Sequence, residues 1–517
     1  MTVIKFVLGA AVLVAAAIIA ARYLYPLPSL SGVRDAPPVR AVDSGQLHEA
    51  VTPLLAAHPG QSGLHPLPDA AAAFAARVIL ARAATQSIDV QYYIWHRDLT
   101  GVLLLDELRK SAERGVHVRL LLDDNGISDL DLILSELDSH PNFEIRLYNP
   151  FTTRDFKLAG YAFDFFRLNR RMHNKSFTVD RLVTIGGGRN VGDEYFGTGL
   201  QPNYVDLDLL AAGSVVQDVS DDFARYWNSA SAYPLDLLVD DDDKADGAVQ
   251  AALDDVSQGS QRATYENEIR RSDVVRKLIS GTLPLEWTSA LLVSDPPTKT
   301  LGQAAEEELL VGQLDGLMGD IDERLDVISP YFVPGEKGTE HFLELAERGV
   351  RVRILTNSLE ATDVLPVHAG YAKYRHRLVE AGVELYELKA SAAPQDRKSN
   401  TGFAGSSAAS LHAKSFAVDD ERIYIGSFNF DPRSVYLNTE MGLLVDSEQM
   451  AQDMHTGFEA QIADMAYAVS LDNDGQLQWT EQQRDGSVRH FQHDPNSSPG
   501  SRAAVTVIGW LPIQWLL

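Results

Sequence analysis

The sequence predicts an α/β protein built from two copies of one unit, related by a pseudo-twofold axis, behind an N-terminal transmembrane anchor. Three observations predict it. First, a strand–helix–strand pattern occurs twice. Ile88-Asp89-Val90 leads to Ala112-Glu113-Arg114-Gly115-Val116-His117-Val118-Arg119, and Leu325-Asp326-Val327 leads to Ala346-Glu347-Arg348-Gly349-Val350-Arg351-Val352-Arg353. In each copy Gly stands where the helix must end and a β-rich run follows, as expected of parallel strands joined by a helix. Second, a dense polar motif recurs in register with that repeat. Third, an uncharged apolar run opens the chain.

Composition sets the outer limits. At ~150 residues per domain, 517 residues allow two to four domains, and 45% hydrophobic content excludes a disordered chain. The absence of cysteine excludes disulfides, Cys-ligated zinc, a thiol nucleophile and a lipidated Cys, and leaves the redox compartment open. The net charge is −27, from 45 Lys and Arg against 72 Asp and Glu. That balance argues against nucleic acid as a partner and against an electrostatic grip on anionic headgroups over the whole surface. Any anionic substrate must meet a local basic patch.

Residues 1–45 read as anchor and spacer. Phe6 to Ala21 is free of charge over 16 residues, or ~24 Å of helix, between Lys5 and Arg22. Snorkelling of those two and the flank Tyr23-Leu24-Tyr25 extend its reach. The small-x-small pair Ala15 and Ala17 lies inside the apolar run, which favours an uncleaved span over a signal peptide; a buried core helix is the other alternative. Lys5 before the span is nearly balanced by Arg22, Arg34 and Arg40 after it, so the membrane face of the remainder stays undetermined. Four prolines between residues 26 and 40 suit an extended spacer. The first unit covers residues 46–240 and the second 286–470. Between them, residues 241–285 follow the acidic run Asp240 to Asp243 and read as a helical connection. Residues 471–517 form a tail, polar from Asp472 to Arg502 and apolar from Val505 to Leu517. Its Trp510 and Trp515 suit either a terminal element packed on the core or interfacial membrane contact.

Each unit carries one motif. In the first it is His173-Asn174-Lys175, then Asp180, then Gly187-Gly188-Arg189-Asn190; in the second, His412-Ala413-Lys414, then Asp419, then Gly426-Ser427-Phe428-Asn429. The spacing is identical in both. Lys175 to Val179 and Lys414 to Val418 read as strands, and alternation puts His and Lys on one face. An imidazole beside an ammonium is repulsive unless an anion sits between them. A pseudo-twofold pairing of the units would bring two His, two Lys and two Asn to one interface, with Asn190 and Asn429 as amide donors, a set suited to a phosphate oxyanion.

These motifs resemble the duplicated His-x-Lys-(x)4-Asp signature of the phospholipase D superfamily. With Arg171-Met172-His173-Asn174-Lys175-Ser176-Phe177, Gly187 to Phe196, Gly426 to Ser434 and Val90 to Trp95, the chain is most similar to the bacterial cardiolipin synthases of the C type, from about residue 60 to its end. The resemblance implies two phospholipase D-like α/β/α sandwich domains and a two-step phosphoryl exchange without metal or cofactor. One His attacks phosphorus to form a phosphohistidine; the other protonates the leaving alcohol and deprotonates the incoming one. The symmetry of the two motifs leaves the nucleophile open between His173 and His412; the resemblance favours His173. Lys175, Lys414, Asn190 and Asn429 would hold the non-bridging oxygens. Asp180 and Asp419 count with the catalytic motif, although the position looks more structural in the family. Glu440 matches the acid that orients a His. Aligning Glu440 to Leu444 with Asp206 to Leu210 makes Asp206 its counterpart, despite a longer spacing from the motif Asn. The implied partners are phospholipids: phosphatidylglycerol as acceptor, and phosphatidylglycerol or phosphatidylethanolamine as donor, at the bacterial cytoplasmic membrane. Hydrolysis, as in a phospholipase D or another phosphodiesterase, is the alternative. An accessory protein is left open.

Residues 151–175 carry six Lys and Arg against two Asp, interleaved with Phe151, Phe156, Tyr161, Phe163, Phe165 and Phe166. They read either as an aromatic core with a solvated basic edge or as a lipid-facing lip that binds a headgroup phosphate. The Gly/Ser-rich stretch from Ser399 to Ser410 reads as a loop over the same mouth.

Overall fold

The computed structural model describes the chain except residues 1, 34, 37–41, 198–202, 240–244, 257–260, 391–408, 461 and 484. The acidic run after Val239 and most of the Gly/Ser-rich stretch before His412 therefore lie outside the described residues.

In chain order the strands of the first half are β1 (Ser62–Leu67), β2 (Ser87–Trp95), β3 (His117–Ile127), β4 (Phe143–Tyr148), β5 (Ser176–Val179), β6 (Val183–Gly187), β7 (Asn203–Val205), β8 (Asp208–Gly213) and β9 (Ala232–Pro234), followed by β10 (Glu286–Thr288). The rest are β11 (Ala290–Ser294), β12 (Arg324–Ile328), β13 (Arg351–Asn357), β14 (Glu384–Leu388), β15 (Ala409–Leu411), β16 (Lys414–Val418), β17 (Arg422–Gly426), β18 (Met441–Asp446), β19 (Ala466–Leu471), β20 (Leu477–Gln482) and β21 (Val488–Phe491).

One sheet has the order β10-β1-β8-β6-β5-β2-β3-β4-β9, the other β11-β18-β17-β16-β12-β13-β14-β19-β20-β21. The block β8-β6-β5-β2-β3-β4-β9 of the first repeats as β18-β17-β16-β12-β13-β14-β19 in the second. Within it β2, β3 and β4 are parallel, as are β12, β13 and β14, while β5 and β16 run antiparallel beside them. The repeated Asp and Arg of the sequence have a physical reason. Arg119 on β3 donates to Asp89 on β2 at 2.7 Å through both ends of its fork, and Arg353 on β13 pairs in the same way with Asp326 on β12. All four side chains are buried, where an unpartnered charge would be costly. Gly115 and Gly349, with φ of 96° and 89°, end the intervening helices in the left-handed region that glycine tolerates.

The three largest apolar clusters organise the core. One belongs to the first sheet and its helices, a second to the second sheet. The third is shared: Leu207, Leu209 and Ala211 of the first half pack with Ile425, Leu443 and Val445 of the second. Strands β15 and β7, one from each half, also pair in parallel. The helices Ala248–Val256, Gln261–Arg271 and Val274–Ile279 lie against the helices of the first half, and β10 adds to the first sheet before β11 opens the second.

The C-terminal stretch is ordered rather than a loose tail. Strands β19 to β21 extend the second sheet, and the helix Pro499–Gly509 packs on the helix Leu365–Tyr371. Trp510 and Trp515 nonetheless remain exposed. Among the described residues no helix is long and apolar enough to cross a membrane, so the transmembrane span expected over Phe6 to Ala21 is not shown. The N-terminal helix Thr2–Leu24 has 23 residues, with Leu8, Val12, Leu13, Val14 and Ile19 exposed. Its last turn is tied to the helix Lys157–Leu168, where Arg22 Nε donates to the Phe163 carbonyl at 2.7 Å.

Candidate active site

The two His-x-Lys motifs meet between the halves. His173 and His412 each precede a central strand, β5 and β16 respectively, and are almost fully buried. A main-chain rule repeats on both sides. The His173 N–H donates to the carbonyl of Thr439 at 2.9 Å, and the next residue is Glu440. The His412 N–H donates to the carbonyl of Val205 at 2.8 Å, and the next residue is Asp206. That register delivers each carboxylate to the imidazole of the opposite half: His173 Nδ1 lies 2.7 Å from Glu440 Oε2, and His412 Nδ1 lies 2.6 Å from Asp206 Oδ2. Both Nδ1 atoms are therefore engaged, which leaves Nε2 as the reactive nitrogen on each ring.

The two carboxylates are held differently. Glu440 accepts from the Ser427 hydroxyl at 2.5 Å, and its own N–H donates to Asp295 at 2.9 Å. In the first half the residue matching Ser427 is Gly188, and a Cβ there would stand 2.1 Å from Asp206 Oδ1. The shorter Asp206 thus reaches its His because glycine leaves room for it. Asp206 also accepts from the Leu207 N–H at 2.8 Å through Oδ1, while its carbonyl accepts from Arg189 at 2.5 Å.

Lys175 and Lys414 each donate to the carbonyl of the His two residues earlier, Lys175 at 2.6 Å. Both are buried. Burial lowers Lys175 to about 7 and Lys414 to about 8, because no protein anion lies close enough to compensate fully. Burial, then Lys175, Lys414 and His412, holds His173 well below the ordinary imidazole value; burial and Lys414 also lower His412. Burial raises Glu440 to about 7. Burial acts the same way on Asp206, but His412, Lys414 and Arg189 outweigh it and bring that acid down to about 2. The surroundings of the two lysines are thus short of negative charge in the way an oxyanion site must be.

The motif asparagines differ. Asn190 is fully buried and braced, its Oδ1 accepting from the Ile94 N–H at 3.2 Å and its Nδ2 donating to the Tyr195 hydroxyl at 3.0 Å. Asn429 is buried with Oδ1 lacking a protein partner, as is Nδ2 of Asn174 beside His173. The motif aspartates stand apart from the reacting groups. Asp180 accepts from the N–H groups of Thr85, Gln86 and Ser87 and from the Thr85 hydroxyl, at 2.8 to 2.9 Å, and so caps the start of β2. Asp419 does the same for β12 through Asp322, Glu323 and Arg324. At ~3.3 Å per residue Asp180 lies about 16 Å along the strand from Lys175. The sequence groups these two with the catalytic motif; their contacts hold the strand beside the one that each His precedes.

The cations of the basic segment before His173 have protein partners. Arg154 pairs with Asp124 and Asp131, Lys157 with Asp124, Arg167 with Asp164, and Arg171 with Asp123. Arg170 donates to the Lys299 carbonyl. These cations are committed to protein partners, so the local charge excess is no free headgroup cradle.

The sequence did not single out the tyrosines. Tyr93 stands edge-on to His173 at 5.0 Å, and Tyr195 and Tyr204 flank His412 at 5.1 and 5.0 Å. No periodicity marks them, though Tyr93 and Tyr195 lie within the stretches that carry the family resemblance. His96, Asp98 and Glu194 could hold a metal ion, with ligand atoms within 4.8 Å of one another. The Asp98 carboxylate, however, already accepts from the N–H groups of Gly101 and Asp193.

A family model described as a cardiolipin synthase, phospholipase D-like domain matches residues 78–227 and 317–462, one stretch in each half. The chain is similar to cardiolipin synthase C of Escherichia coli, 47% identical over 474 residues, which is 91% of this chain and 100% of that protein. It is similar to cardiolipin synthase 2 of Staphylococcus epidermidis at 27% identity over 392 residues, covering 73% of this chain and 63% of the other. Among solved structures, phosphatidylserine synthase of Haemophilus influenzae shares the fold, with a TM-score of 0.53 at 16% identity over 91% of this chain and 100% of that one. Matched in both halves, and over nearly its whole length by a relative at 47% identity, the chain belongs to the cardiolipin synthase family of phospholipase D-like proteins.

Proposed function

We propose that the protein is a cardiolipin synthase that transfers a phosphatidyl group between phospholipids through a phosphohistidine on His173. The observation that carries this reading is the crossed pairing of His173 with Glu440 and His412 with Asp206 beside the buried Lys175 and Lys414. With Nδ1 held by Glu440 and burial keeping the imidazole below its ordinary value, His173 presents an Nε2 lone pair. That atom attacks phosphorus, and the bond to the headgroup alcohol breaks. His412, backed by the ionised Asp206, gives its Nε2 proton to the leaving oxygen. The terminal hydroxyl of phosphatidylglycerol then enters, His412 takes its proton, and the phosphorus–nitrogen bond breaks to give cardiolipin. Lys175 and Lys414 would neutralise the non-bridging oxygens and the Asn429 amide N–H would donate to one of them, with Asn190 bracing the site.

The donor is phosphatidylglycerol or, by similarity to the C-type relative, phosphatidylethanolamine. We place the protein at the bacterial cytoplasmic membrane, attached by the helix Thr2–Leu24, whose 23 residues extend ~35 Å. The test is expression in a strain lacking cardiolipin, with lipid mass spectrometry. Cardiolipin should appear. His173→Ala and His412→Ala should each abolish it, with losses of about 10²-fold or more, and a chelator should have no effect. Phosphatidic acid in place of cardiolipin would establish a hydrolase instead. Inhibition by chelator, reversed on adding a metal, would refute the metal-free route.

A further inference from the structure

Three segments distant in sequence meet on one face beside His173. The last turn of the N-terminal helix reaches the helix Lys157–Leu168, where the Tyr25 ring stacks on Phe163 at 5.9 Å. That helix is kinked at Asp164, whose φ of −132° is not helical. Beyond the kink, Phe165 turns to meet Trp515 of the C-terminal segment edge-on at 6.4 Å. Arg433 fixes this last contact, donating to the carbonyls of Leu516 and Asn169. The joined segments display Tyr23, Leu24, Phe156, Leu158, Phe166 and Trp510 to solvent, with Phe166 at 72% and Trp510 at 80% exposure. So much exposed aromatic surface is unusual on a protein face that meets only water.

The face is coupled to the catalytic groups. The Tyr161 hydroxyl donates to Asn125 at 3.0 Å, Asn125 donates to the Tyr93 hydroxyl at 3.3 Å, and Tyr93 stands against His173. We propose that this face, made from the base of the N-terminal helix, the helix Lys157–Leu168 and the C-terminal Trp-bearing segment, inserts into the headgroup region of a lipid bilayer. Three features favour a bilayer over a second protein. Trp and Tyr beside Leu and Phe are the composition of the membrane interface. The helix Thr2–Leu24, with bare Leu, Val and Ile side chains, leaves the same face. The cations there are paired with Asp or donate to carbonyls, so the grip is apolar and serves a neutral lipid surface as well as an anionic one. The proposal rests on the lipid-substrate reading only for why such a face adjoins His173.

The test uses the full chain on phosphatidylcholine vesicles whose acyl chains are brominated near the headgroup end. No turnover is needed. Of the six tryptophans, Trp95, Trp227 and Trp479 are buried, and Trp287 is stacked on His58. The bromines should quench a fraction of the emission that largely disappears in Trp510→Phe/Trp515→Phe, and about 0.5 M salt should leave the quenching unchanged. Phe156→Ser/Phe166→Ser should lower turnover on vesicles by at least ~10-fold, since two exposed rings lose their burial in the apolar interface. The same variant should keep its turnover on short-chain monomeric phosphatidylglycerol, which separates failed docking from failed chemistry. Equal quenching in wild type and the Trp double variant, loss of quenching in salt, or equal loss on both substrates would overturn the proposal. So would a change of oligomeric mass in detergent with unchanged quenching, which would mark the face as a contact between copies.

Discussion

At the scale of single residues the site is defined by lysines that carry less positive charge than lysines normally do. Lys175 at about 7 and Lys414 at about 8 lie far below the ordinary ammonium value because burial strips their solvent. A bound oxyanion supplies the missing charge and pulls both back up. Anion binding between pH 7 and 9 should therefore take up protons, and affinity should fall as pH rises through that window, by up to ~10-fold per unit for each lysine that titrates. Tungstate, a phosphate mimic of fixed charge in this range, measured by calorimetry in buffers of different ionisation heat, tests this. A flat affinity from pH 7 to 9 would mean that the lysines do not face the anion. Part of this scale was legible in the sequence: the duplicated motif nominates His173, Lys175, His412 and Lys414, and the structure buries all four. The partner of each His was not. Two carboxylates and two imidazoles permit two pairings, and the choice is made by the main-chain contacts of His173 with Thr439 and of His412 with Val205.

At the scale of elements, the motif aspartates show why spacing alone misleads. Asp180 and Asp419 recur as faithfully as the His, yet their side chains cap the strands next to those that the His begin. A residue that fixes a catalytic strand repeats as regularly as one that reacts. Asp180→Ala would strip three backbone N–H groups of their acceptor, at about 1–3 kcal/mol for each group left unsatisfied in the interior. The expected outcome is a clear fall in Tm, with turnover per folded molecule reduced far less than in His173→Ala; loss of turnover at unchanged Tm would return Asp180 to the chemistry. The basic segment was legible in the sequence only as a local charge excess, which left both of its readings open. Its cations are answered by Asp123, Asp124 and Asp131, which lie on or beyond β3 and are distant in sequence, so local charge counting could not see them.

At the scale of the whole molecule the two halves act as one body. The shared cluster of Leu207, Leu209 and Ala211 with Ile425, Leu443 and Val445 forms the floor under the catalytic pairs. Leu443→Ala should cost about 2–5 kcal/mol and lower the unfolding temperature of both halves together in a single calorimetric transition. Two transitions, only one of them shifted, would show that the halves unfold independently. The duplication was plain from the repeated Ala-Glu-Arg-Gly-Val run, whereas the face each copy turns to the other was not, because strands buried on both sides lose the alternation that would reveal it.

The crossed carboxylates also bear on how the polypeptide is made. His173 waits for Glu440, 267 residues further along, and His412 relies on Asp206, 206 residues behind it. A ribosome that has delivered only the first half has produced an imidazole, a lysine and a carboxylate that cannot yet act on one another. A chain cut short there, or one whose halves dock wrongly, holds no oriented nucleophile. The capacity to break phosphodiesters thus arises only when the second half has emerged and closed on the first, so incomplete products are harmless to the lipids around them.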